Sequence, residues 1–226
     1  GYLLRMKEYS SPTSAKVNYI TYSSVDYPSL LNNTTDSTIK EKIDNWFATN
    51  IQNKQDNNGT SYSSYLSDEI FCNDRTFTSG DGYSISKRTE FSSYYRNIRQ
   101  KEPNLICTQT QDKFTVSSNK GNGKLTYPVG LLTFDEVALA GGVYLAANNK
   151  YYLSTGQAYW TMSPAVFDSN YAYAYVANIS TAGHITTATT TTSYGVRPVI
   201  NLSTDIEISG GDGTKNNPYT VALSNL

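Results

Sequence analysis

The stretch Asn170-Tyr171-Ala172-Tyr173-Ala174-Tyr175-Val176-Ala177-Asn178 decides how the second half of the chain is read. Its alternation has the two-residue period of a β-strand, with Tyr171, Tyr173 and Tyr175 on one face and Ala172, Ala174 and Val176 on the other. If the small apolar face packs inward, three rings stand outward as a ladder. If the rings pack inward, the tyrosines and neighbouring threonines serve strand propensity alone. Outward from this stretch, residues 151–153, 158–162, 184–190 and 196–202 also read as strands. Ser209-Gly210-Gly211-Asp212-Gly213-Thr214 makes a turn into a last strand near 219–223, so residues 205–226 form a C-terminal hairpin.

Helices come earlier. Ile39, Ile43, Trp46, Phe47 and Ile51 fall on one apolar helical face, with Asp36 or Ser37 as N-cap and the polar loop after Asn50 as the end. Phe91, Tyr95 and Ile98 predict a short second helix that Pro103 must stop. Thr133 and Glu136 form a T-x-x-E capping box before Val137, Ala138 and Ala140, and Gly141-Gly142 ends that third helix. The opening residues 1–24 alternate as one or two strands, and Ile70 and Phe71 are expected to be buried beside Cys72. Helices before strands favour an α+β fold over an alternating parallel sheet. The expected arrangement is two main helices (37–51 and 133–140) on a twisted, mainly antiparallel sheet with residues 196–202 at its centre.

The 226 residues suit one domain spanning 1–226. With 18 basic and 19 acidic residues and no run of either sign, nucleic acid is not the expected partner, because neutralising phosphates needs clustered Lys and Arg. No stretch approaches the roughly 18 apolar residues of a membrane span. The abundance of Asn, Ser, Thr and Tyr points to an extracellular, cell-surface bacterial protein. Cys72 and Cys107 either form one bridge or remain as two buried thiols, and an extracellular setting favours the bridge.

The single histidine, His184, removes multi-histidine metal sites and leaves one imidazole for any triad, with no strained nucleophile motif near it. No phosphate-binding loop or dinucleotide fingerprint occurs. No metal or cofactor is expected. Glu102-Pro103-Asn104 matches a tripeptide that calcium-dependent sugar-binding lectins use, but the partner Trp-Asn-Asp strand is missing and it reads as a loop. The glycine turns at Asp81 and Asp212 lack the spaced oxygens of a calcium loop. The sequons at Asn33, Asn58, Asn178 and Asn201 are expected by chance in this composition.

Residues 163–198 differ from the rest. Lys, Glu, Gln, Met and Trp total 29 in the chain, and all lie in the other 190 positions, where chance would put four or five in this window. Tyr, Ser, Thr and Asn take their place, the mixture that antibody loops use for adaptable contact surfaces.

Tyr159-Trp160-Thr161 with Ser163-Pro164, and Gly195-Val196-Arg197-Pro198-Val199-Ile200-Asn201-Leu202, resemble the end of bacterial C-type-lectin-fold domains related to formylglycine-generating enzymes. Phe71-Cys72-Asn73-Asp74-Arg75, Tyr127-Pro128-Val129-Gly130-Leu131, Asp135-Glu136 and Ala140-Gly141-Gly142 resemble surface-protein domains of gut Firmicutes. The resemblance runs from about residue 25 to the end and implies a C-type lectin fold. Several members of this group are variable proteins of diversity-generating retroelements, whose randomised codons cannot yield Lys, Glu, Gln, Met or Trp. That set is the one missing from 163–198. The enzyme branch uses late cysteines and its iron-dependent relatives use several histidines; here no cysteine follows Cys107.

These observations lead to a non-enzymatic surface module that binds a protein or glycan on another cell or phage. The expected ligand face comprises Met162, Phe167, Asp168, Ser169, Asn170, Tyr171, Tyr173, Tyr175, Asn178, Ser180, His184, Thr186, Thr189 and Tyr194. Trp160 is expected to be structural, as is Arg197, either paired with Asp135 or Glu136 or facing solvent. The competing readings are a purely structural surface domain and a sugar-active enzyme with a carboxylate pair assembled by folding.

Overall fold

A computed structural model describes residues 15–16, 33, 36–82, 86–171, 173–214 and 216–223. Among the described residues there are three α-helices. α1 (Thr38–Phe47) runs on as a π-helical turn (Ala48–Gln52), α2 (Ser92–Tyr95) does the same (Arg96–Gln100), and α3 is Phe134–Leu139. The strands in chain order are β1 (Ala15–Lys16), β2 (Leu66–Ser67), β3 (Phe71–Cys72), β4 (Phe77–Ser79), β5 (Thr89–Phe91), β6 (Lys113–Phe114) and β7 (Val129–Gly130). They continue with β8 (Tyr159–Asp168), β9 (Tyr173–Ile179), β10 (Ile185–Thr189), β11 (Ser193–Tyr194), β12 (Val199–Leu202), β13 (Ile206–Gly210) and β14 (Thr220–Leu223). The fold is mixed α and β, with few helices and several antiparallel sheets.

Each helix forms for a readable local reason. The Ser37 hydroxyl accepts the Lys40 N–H and caps α1, whose Ile39, Ile43, Phe47 and Ile51 are buried along one stripe. Around α3 both halves of the capping box form: Thr133 Oγ1 accepts the Glu136 N–H at 3.1 Å, and Glu136 Oε2 accepts the Thr133 N–H at 2.7 Å. Gly141 then turns the chain at φ +112°, which a glycine adopts without steric cost.

The main sheet has the order β10-β9-β8-β5-β4, and every pairing in it is antiparallel. β8 is central and covered on both faces. Trp160 joins α1, Val129, Leu131 and Ile200 in one apolar cluster, while Tyr159, Ala165 and Val166 join Tyr94 of α2 and Phe134 and Val137 of α3 in the other. Double coverage makes β8 nearly continuous in buried residues.

Several sequence expectations need correcting. Residues 196–202 are not the centre of the main sheet; β12 is central in a separate three-stranded sheet, β2-β12-β7. Residues 151–153 form a turn rather than a strand. Ile70 is 43% exposed, and only Phe71 is buried there. Of the expected N-terminal strands, β1 pairs with β11, and the rest of 1–24 lies outside the described residues. The predicted C-terminal hairpin is present as β13 and β14. Cys72 and Cys107 are bonded to each other, so neither is a free thiol. Among the described residues no helix is long and apolar enough to cross a membrane.

Candidate functional site

Folding divides the fourteen expected contact residues among five places. Asp168 and Tyr173 face each other in register across the β8–β9 hairpin, so Ser169, Asn170 and Tyr171 lie on its tip. The Asp168 carboxylate accepts the Asn170 N–H at 2.9 Å, an Asx-type bond that shapes the turn. Tyr171 is 69% exposed and Tyr173 46% exposed. Their rings lie side by side, 6.1 Å between centroids and 21° from parallel. The ladder expected of three tyrosines is thus a pair, one ring on the turn and one at the first position of β9.

Tyr175 belongs elsewhere. It is half-buried against the core and, with Met162, lines a half-open cavity of about 270 Å³ beneath α1, walled by Ile39, Phe71, Phe91 and Phe114. Tyr194 is also half-buried, its ring 4.9 Å from that of Trp160. Trp160 itself is fully buried, as a structural residue must be.

Two of the expected contacts are core residues. Phe167 is 1% exposed and packed inside, at the position of β8 that pairs with Thr89 of β5. Asn178 is also 1% exposed, opposite Trp160 and Thr186, and neither side-chain polar atom has a hydrogen-bond partner among the described residues. Neither can touch a ligand. The β8–β9 register slips twice, at Trp160/Pro164 and at Pro164/Val166, and Ala177, Asn178 and Ile179 are buried in succession, so both faces of β9 are covered at this end.

Ser180 and His184 sit in the β9–β10 turn, where the Ser180 N–H donates to the His184 carbonyl at 2.9 Å. That turn is at the other end of β9 from the tyrosine pair, about 20 Å away at the rise of a strand. Thr186 faces Asn178 midway, and Thr189 faces Tyr175 nearer the tip, its hydroxyl 2.8 Å from that of Thr191. The coherent surface site is therefore the exposed Asn170, Tyr171 and Tyr173 together with the partly buried Asp168 and Ser169.

The structure also reassigns charge. Arg197 does not meet Asp135 or Glu136: its guanidinium stacks 4.5 Å above the Tyr159 ring and donates to the Leu153 carbonyl at 3.2 Å. Asp135 belongs to Arg96, accepting from Nε at 2.7 Å and Nη2 at 2.5 Å, while Arg96 Nη1 reaches Asp74 at 2.5 Å. The Ser93 hydroxyl, the Asn97 amide and the Asn104 backbone N–H complete the shell around Asp135. Burial alone would lower the Arg96 pKa, but these bonds to Asp135 and Asp74 carry it above its ordinary value. The two carboxylates that folding brings together are therefore held by one guanidinium. Glu102-Pro103-Asn104 belongs to the same knot through the Asn104 N–H, which explains its position as a loop anchor.

The sequence reading missed β5. One residue beyond the Thr89↔Phe167 pairing, the same register brings Arg88 opposite Asp168, and Arg88 is itself paired with Glu90 at 2.5 Å. No spacing in the sequence announces this neighbour, since it comes from a strand about eighty residues earlier. Among the described residues no cluster of three or more His, Cys, Asp or Glu is arranged to hold a metal. No protein-family model, curated protein or solved structure matches the chain.

Proposed function

We infer that the chain is a non-enzymatic ligand-binding module of receptor or adhesin type, displayed outside the cell, with the tip of the β8–β9 hairpin as its contact face. The observation that carries this reading is the pair Tyr171 and Tyr173: two large rings, both more than 40% exposed, held side by side at the hairpin tip. Tyr offers wide contact area for little loss of rotamer freedom, and it is enriched where binding energy concentrates. Ser169 and Asn170 beside it supply hydrogen-bonding groups that adapt to a partner. The order of motifs and the α+β arrangement support a C-type-lectin-like scaffold, and the composition of 163–198 supports a segment diversified by a retroelement. On this reading the buried Phe167 and Asn178 are framework positions, and the variable contacts are those at the tip. The ligand is a protein, or a glycan, on another cell or phage.

The test compares wild type with a Tyr171→Ala/Tyr173→Ala variant on a glycan array and on extracted bacterial surface proteins. Signals given by wild type and lost in the variant support the reading. Signals that the variant keeps would place binding elsewhere on the molecule. The diversification claim has its own check: a reverse-transcriptase gene near this one, with a near-copy of the DNA encoding 163–198. Its absence would remove that claim and leave the binding claim to the screen.

A further inference from the structure

The chemistry around the tyrosine pair narrows the ligand, on the assumption that this tip is the contact face. Asp168 stands directly across from Tyr173 in the antiparallel ladder, and directly opposed residues project from the same side of the sheet. Tyr173 in turn lies beside Tyr171. A carboxylate and two open aromatic rings are thus neighbours on one surface. The Asp168 side chain accepts one backbone N–H, from Asn170, and no cation lies within ion-pair distance of it among the described residues. The nearest charged groups by register, Arg88 and Glu90, are bonded to each other, so the three side chains together leave one negative charge. The faces of the tyrosine rings add negative potential of their own.

We propose that this tip recognises a cation on its partner, namely the guanidinium of an arginine side chain on a protein. A guanidinium is flat, so it stacks on a tyrosine ring, and its fork of N–H groups matches a carboxylate. Both complements are present here within one cross-strand pair and its neighbour. An apolar or anionic partner group would leave the Asp168 charge facing it uncompensated. A compact ammonium would use the charge but not the stack. The same residues explain why the tip needs no buried pocket: the contact is planar, and its strength comes from charge and ring area.

The probes are two short peptides, acetyl-Gly-Arg-Gly-amide and the same peptide with citrulline in place of arginine, which keeps the shape and removes the charge. Each is titrated into the whole protein while the ring resonances of Tyr171 and Tyr173 are followed by NMR. The arginine peptide is expected to bind at least about five-fold more tightly than the citrulline peptide, with the gap shrinking as salt rises. Asp168→Asn should erase that gap while keeping the turn, since Asn can still accept the Asn170 N–H. Tyr171→Ala/Tyr173→Ala, followed instead through the backbone amide resonances of Asp168 to Asn170, should abolish binding of both peptides, with an unchanged spectrum elsewhere as the check of folding. Equal binding of the two peptides would overturn the cation proposal while leaving the tip as a binding face. A gap unaffected by Asp168→Asn, or no shift of either ring up to the solubility of the peptides, would overturn it too. The wider reading is decided separately, by the array and surface-protein screen.

Discussion

Five donors converge on the Asp135 carboxylate, whereas Asp168 accepts a single backbone N–H and has two exposed rings beside it. Both are aspartates at the edge of an ordered element, and their surroundings differ in what remains available. At Asp135, 3% exposed, each interaction is spent within the chain: α2, α3 and the loop before Cys107 are tied to one another there. At Asp168 the hairpin tip is shaped by one short-range bond and then faces solvent. A polar group committed internally is read as architecture. A polar group beside exposed aromatic surface, with little to do for the fold, is where recognition chemistry can reside.

The contrast can be broken most sharply at the knot. Asp135→Ala should cost about 3–5 kcal/mol, because it leaves the Arg96 guanidinium half-buried with Asp74 as its remaining carboxylate. Guanidinium-chloride unfolding followed by fluorescence would show it, and a loss under about 1 kcal/mol would mean that the knot is not what ties these elements. Replacing both cysteines by Ala comes next. The bridge spans 35 residues, so chain entropy sets its contribution at about 4 kcal/mol, read as a lowered unfolding midpoint in the reduced-equivalent variant. Arg197→Ala should cost about 1–2 kcal/mol through the lost stack on Tyr159 and the lost bond to the Leu153 carbonyl. Arg197→Lys should recover little of it, since an ammonium does not stack as a plane.

A pH series sharpens the same distinction. Burial, then the neighbouring Tyr159, pushes the Tyr151 phenol well above its ordinary pKa, and its hydroxyl has no hydrogen-bond partner among the described residues. The folded state therefore holds that proton more tightly than the unfolded chain. Its contribution is fully present below about pH 10 and is lost as pH rises above it. Tyr151→Phe should change stability little at neutral pH and flatten the alkaline fall in melting temperature; an unflattened fall would place the titration elsewhere.

Much of this architecture was legible in the sequence because it is local. The α1 stripe, the Thr133–Glu136 box, the glycine that ends α3 and the C-terminal hairpin all follow from residues within one or two turns of one another. The Arg197 and Asp135 partners were not legible, since Arg96 meets Asp135 across 39 residues and no spacing rule links them. Phe167 and Asn178 were misplaced on the ligand face for a different reason. The composition of 163–198 placed them there, and composition does not tell buried from exposed positions: β8 is covered on both faces, and Ala177, Asn178 and Ile179 of β9 are buried in succession. The tyrosines were half legible: the alternation located Tyr173, but the turn took Tyr171 off the strand and the core took Tyr175.

The smallest expected effect on stability carries the largest expected effect on function. Tyr171→Ala/Tyr173→Ala should lower stability by less than about 0.5 kcal/mol, as exposed substitutions do, and so leave the melting temperature within about 2 °C of wild type. The most direct test of the tip as a contact face pairs that melting temperature with binding to the strongest ligand found in the surface screen. The account predicts a preserved melting temperature with binding reduced at least tenfold. A variant that binds as wild type does, or that loses binding only because it unfolds, would contradict it.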